Sequence, residues 1–166
     1  MTVGAGEWAD HHAVTALMFR YAEMVDAADF DGIGELFSHG EITTPGVPGA
    51  IVGADAVAAM YRASNRVHPN GTLMTRHLTT NVLVDFAPDG ESATARSSFV
   101  VFQATPAVSL QVIVAGRYHD RFTRRDGEWL FAQREMRVEQ VGDVSDHLLM
   151  DLGKFTPRGA DSPRGR

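Results

Sequence analysis

The chain has 166 residues, a formal charge of -6, a pI near 5.6 and no cysteine. That length suits one domain able to bury its own core, and the missing cysteine excludes disulfides, thiolate metal ligands and a cysteine nucleophile. An acidic chain without a basic stripe argues against nucleic acid as a partner.

The first residues, "MTVGAGEWADHH", lack the cationic and apolar regions of a signal peptide, and no apolar run approaches the roughly 18 residues of a membrane span. The expected location is therefore the cytoplasm, with no membrane partner. Residues 1–7 are expected to be disordered. The Pro-, Gly- and charge-rich tail 151–166 is expected to be flexible, leaving one domain over 8–150.

Within that domain, Val14, Leu17, Met18, Tyr21, Ala22 and Val25 recur at helical spacing and predict a helix over 8–25. A short second helix is expected over 30–37, with Asp29 as its cap. A strand over 39–44 and a third helix over 53–66 follow, with Asp55 in that helix's first turn. Strands are then expected at 73–86, 92–105, 108–124 and 128–139, joined by the turns "APDGES", "ATPAVS" and "RRDGEW". Consecutive strands with tight turns imply an antiparallel meander, and helices gathered before them imply an α+β fold. A strongly bent sheet wrapped around the first helix would leave a cavity.

Polar residues on apolar faces mark candidate chemistry. Alternation along 128–139 gives one face of Leu130, Ala132, Arg134, Met136 and Val138, in which Arg134 is the exception. A guanidinium there needs an anionic partner or a route to solvent. Strand 73–86 has a face of Thr75, His77, Thr79, Asn81, Leu83 and Asp85, a polar row with one imidazole suited to proton transfer. Asp26 falls near the end of the first helix, at the negative pole, where its pKa tends to rise. Tyr21 lies about 140° around the helix from it by ideal geometry.

Asp31 is read as a solvated surface residue. "DAADFDGIGELF" lacks the spacing of a calcium loop, and most of the scattered histidines, including His39, His68, His119 and His147, read as surface residues without zinc-ligand spacing. No phosphate loop, nucleophile elbow or nucleotide fingerprint is present.

The strings "RYAEMVDAADFDGIGELF", "GADAVAAMY", "TRHLTTNVLVDF" and "AGRYHDRFTRRDGEWLFAQREM" resemble, in order and spacing, the SnoaL-like members of the NTF2-like superfamily. The resemblance covers roughly residues 8–140. It points to the branch of scytalone dehydratase, bile acid 7α-dehydratase and hexachlorocyclohexane dehydrochlorinase. It implies a cone-shaped α+β barrel, N-terminal helices against a bent, mostly antiparallel sheet, and self-association as a homotrimer or homodimer. It also implies an aspartate–histidine dyad with no metal and no organic cofactor.

Matched residue by residue, Asp26 and His77 take the dyad positions, and Tyr21 and Arg134 complete the catalytic set. Gln103, Asn81, Thr79 and Met18 are the candidate substrate-binding residues. Val25 and Gln103 stand where scytalone dehydratase has a tyrosine and a second histidine, which argues against the same substrate. The expected function is a cofactor-independent lyase acting on a small apolar, polycyclic or steroid-like molecule. The alternatives are a polyketide cyclase or ketosteroid-type isomerase, and a non-catalytic ligand-binding or assembly subunit.

Overall fold

The computed structural model describes residues 5–150. Helix α1 runs Ala5–Asp26 and buries Val14, Met18, Tyr21, Ala22 and Val25, one stripe at helical spacing. It begins inside the segment expected to be disordered, so residues 5–7 are helical. The remainder of that expectation, and the tail 151–166, lie outside the described residues.

Helix α1 stops on a Schellman turn. Asp29 N–H bonds Met24 C=O at 2.9 Å and Ala28 N–H bonds Val25 C=O at 3.0 Å. Ala28 takes the left-handed conformation, φ 56°, that glycine usually fills there. This stop leaves Asp26 in the last helical turn. Asp29 caps helix α2 (Phe30–Leu36) by accepting the Gly32 N–H at 2.9 Å, and Asp31 pairs at the surface with Arg62. Helix α3 spans Ala54–Ser64.

The strands are β1 (Glu41–Thr43), β2 (Ile51–Val52), β3 (Thr75–Phe86), β4 (Ser92–Gln103), β5 (Gln111–Arg125) and β6 (Glu128–Val141). They form one sheet in the order β2-β1-β6-β5-β4-β3. Strands β3 to β6 make the expected meander, and β1 adds in parallel to β6. The two-residue β2 is too short for alternation to reveal. The sheet ends on β2 and β3 and stays open, an α+β arrangement whose core lies between α1 and the concave face.

Bulges reset which side chains enter that core. In β6, Phe131 opposes Phe122 and Gln133 opposes Arg121, so Ala132 is an extra residue. Trp129 and Phe131 therefore point inward before it, and Arg134 inward after it. The sequence alternation had placed Leu130 and Ala132 with Arg134. In β3, Asn81 and Val82 together oppose Ser97, between the Thr80–Ser98 and Leu83–Arg96 pairs. The inner face accordingly changes from Thr75, His77 and Thr79 to Val82 and Val84.

Candidate functional site

The end of α1 meets the start of β3. There the Asp26 carboxylate is held from three directions. Its Oδ1 accepts the Thr75 hydroxyl at 2.6 Å and lies 2.7 Å from His77 Nδ1, while its Oδ2 accepts the His77 backbone N–H at 2.9 Å. Burial pushes the Asp26 pKa upward. The hydrogen bond and charge of His77, the Thr75 hydroxyl and the backbone N–H outweigh it and hold the pKa below 3.8. The rise expected from the helix pole is thus reversed by groups that β3 supplies.

The His77 ring reaches the wall of an interior cavity of about 280 Å³, and among the described residues its Nε2 makes no hydrogen bond. The lining is mostly apolar: Val25, Ile42, Phe99, Val101, Met136 and Val138. Its polar groups include the hydroxyls of Tyr21 and Tyr61, bonded to each other, and those of Thr44 and Tyr118, with Ser64, Asn65 and His147. A second depression, between α1 and β3 and lined by Phe19, Glu23, Arg76, Leu78 and Thr79, also touches Asp26 and His77. An imidazole held by a carboxylate therefore sits at the boundary of an apolar chamber.

Arg134 does not reach the cavity. It is 0% exposed and bound bidentately to Asp120, with Nε to Oδ1 at 2.9 Å and Nη2 to Oδ2 at 2.7 Å. Its guanidinium lies 4.1 Å from the Tyr21 ring centroid and 4.0 Å from that of Tyr118. Burial alone would lower its pKa, but the Asp120 charge and hydrogen bonds raise it, so it stays charged. Burial and the neighbouring Tyr21 also push Tyr61 and Tyr118 well above the ordinary phenol value, which keeps them protonated. The arginine therefore backs the tyrosines that line the cavity.

Of the other sequence candidates, Gln103 is buried and its Nε2 donates to Leu73 C=O at 3.2 Å and Asp146 C=O at 3.1 Å. Met18 packs in the core beside α1's other apolar residues. Thr79 lines the depression between α1 and β3, and Asn81 is exposed on the β3 bulge at φ 53°. The structure brings none of these four to the lining of the interior cavity.

Three lining or supporting residues escaped the sequence reading. Tyr61 sits on the buried face of α3, where it reads as core, and Asp120 interrupts the Tyr118–Phe122 alternation. His147, read as a surface histidine, is buried in the cavity wall.

Among the described residues, no cluster of three or more His, Asp or Glu side chains is placed to hold a metal. No helix there is long and apolar enough to cross a membrane.

Helices packed on an open, bent sheet around an apolar chamber define the cystatin-like, NTF2-like class of fold. The chain belongs to the SnoaL-like domain family, which it matches over residues 6–135. That family includes dehydratases and cyclases.

A protein of unknown function from Mycobacterium tuberculosis is similar at 29% identity and TM-score 0.68, over 88% of this chain and 81% of that one. A Novosphingobium aromaticivorans protein, provisionally assigned as a scytalone dehydratase, shares the fold at 23% identity and TM-score 0.64, over 82% and 88% of the two chains. The hydroxylase subunit beta of methanesulfonate monooxygenase from Methylosulfonomonas methylovora is 33% identical over 89 residues, 49% of each chain. The match thus spans about half the length of that relative.

Proposed function

We propose that this protein is a cofactor-independent lyase that eliminates water, or a comparable leaving group, from a small apolar substrate. The observation that carries the reading is the 2.7 Å contact between Asp26 and His77 Nδ1 at the edge of an apolar cavity. The carboxylate fixes the tautomer with the proton on Nδ1, leaves Nε2 as the base, and balances the charge that the ring gains. A base so placed contributes about 10²–10⁴-fold. Tyr21, held by Tyr61 and backed by Arg134, supplies a hydroxyl for the leaving group. The chamber suits a polycyclic or steroid-like skeleton.

The test is turnover of a panel of apolar β-hydroxy carbonyl compounds, followed by mass spectrometry. His77→Ala is expected to abolish water loss with an unchanged circular dichroism spectrum, and Asp26→Asn to reduce turnover about 100-fold or more. Full activity of His77→Ala would sink the assignment. A product of unchanged mass would instead indicate an isomerase or cyclase acting in the same cavity.

The likeness to an oxygenase beta subunit favours a second reading, a non-catalytic assembly subunit. A panel without turnover, together with stable co-purification with a hydroxylase alpha subunit, would decide for it. In either role we expect homo-oligomers, trimers or dimers.

A further inference from the structure

His147, whose position in the sequence suggested the surface, lies in the chamber wall. His147 is 5% exposed and lines the cavity that His77 also lines. Its Nδ1 is sealed off and has no hydrogen-bond partner among the described residues, whereas its Nε2, which is not sealed off, makes no hydrogen bond there either. A sealed, unpaired N–H costs about 1–3 kcal/mol, so the favoured tautomer carries its proton on Nε2.

The position of this ring is strongly determined. Its own carbonyl accepts the Arg66 N–H at 2.8 Å, and Leu149 N–H donates to Ser64 C=O at 2.9 Å, pinning the segment to the end of α3. One residue earlier, the Asp146 carbonyl bonds His68 Nε2 at 3.0 Å and Gln103 Nε2 at 3.1 Å. The Asp146 carboxylate accepts the Thr105 hydroxyl and lies 3.7 Å from Arg66. Contacts from α3, the 66–68 loop, β4 and the loop after it all converge on this one turn. Gln103, expected to bind substrate, thus bonds the residue before His147.

We propose that His147 is the oxygen-binding residue of this cavity: its neutral imidazole Nε2–H donates a hydrogen bond to a carbonyl or enolate oxygen of the ligand. The substrate class is accordingly an apolar ketone or ester with a β-leaving group. Burial, then the nearby His77 charge, lowers the His147 pKa to about 4, so the ring is a neutral donor near neutral pH. A neutral imidazole in an apolar site polarises a carbonyl without acting as a competing acid.

The inference rests on the lyase reading for its chemistry. His77 takes the proton from the carbon beside the carbonyl. The C–H electron pair moves into a new C=C bond, and the carbonyl pair moves to the oxygen, where the His147 N–H stabilises it. As the carbonyl re-forms, the β C–O bond breaks and the imidazolium returns its proton, releasing water and an unsaturated carbonyl compound.

Paired probes test this without turnover. The ligands 2-naphthol and 2-methylnaphthalene have similar shape, but only the first carries oxygen, and one hydrogen bond corresponds to a preference of about tenfold. The wild-type protein is expected to prefer 2-naphthol by about that factor in a fluorescence titration. His147→Leu should lose the preference yet still bind 2-methylnaphthalene, and His147→Gln, which keeps a donor, should regain part of it.

A preference that survives in His147→Leu, or is absent from the wild type, overturns the proposal. If His147→Leu binds neither probe, His147→Gln decides: a retained preference supports the role and a lost one overturns it. The His77→Ala turnover assay reads the lyase assignment separately. His77-dependent turnover without a naphthol preference removes only the His147 role, and a preference without turnover removes only the lyase.

Discussion

Asp26 shows how one residue's chemistry depends on its neighbours. The aspartate was legible because it stands where a helix built only for stability would carry a cation. Its partner was legible as the one imidazole in a polar row. That His77 would supply both a ring nitrogen and a backbone N–H was not, since this depends on how α1 crosses β3. The three bonds make a prediction about acid. The folded pKa lies below the unfolded 3.8, so the ionised carboxylate contributes stability that is full above 3.8 and is lost as pH falls through the folded value. Asp26→Asn removes the titration. The difference in urea midpoint between wild type and variant is therefore expected to be largest near neutral pH and to shrink below about pH 4. A difference that stays constant from neutral pH to acid would mean that the bonds do not favour the charged form.

At the scale of the strands, what escaped the sequence is almost wholly a matter of bulges. The period of two identified every long strand, and the Asp126–Gly127 turn fixed the β5–β6 hairpin. Counting outward from that turn without a bulge sets Asp120 opposite Gln133. The extra Ala132 moves the pairing by one, and Asp120 faces Arg134. Arg134 could thus be recognised as anomalous while its partner stayed hidden. This cross-strand pair is 0% exposed on both side chains, so removing one charge leaves the other uncompensated. Asp120→Asn is expected to destabilise the fold by about 3–5 kcal/mol in urea titrations, whereas replacing both with Leu and Met recovers much of that loss. A single substitution costing under about 1 kcal/mol would show that the guanidinium finds another partner.

For the molecule as a whole, the α+β class and the meander were readable, because helical and strand periods occupy separate halves of the chain. The closure of the cavity was not. The segment "VGDVSDHLLM" has neither period, and its bonds to the end of α3 are non-local. The outer side of the sheet carries the remaining consequence. Register places Leu78, Val100 and Ala115 in one row and Phe102 and Val112 in the next, all on the face away from the helices. Leu78 is 52% exposed and Val112 46%, and Arg76 is the charged member beside them. A contiguous exposed apolar patch marks an interaction surface, and one shared by identical chains closes most simply by self-association. Light scattering is therefore expected to give a small multiple of the 18.0 kDa chain mass. Leu78→Glu combined with Val112→Glu should reduce it to the single chain without altering the far-ultraviolet spectrum, because neither side chain contributes to the inner core. A wild-type protein that stays monomeric at micromolar concentration would leave that face to a different chain, the arrangement expected of an assembly subunit.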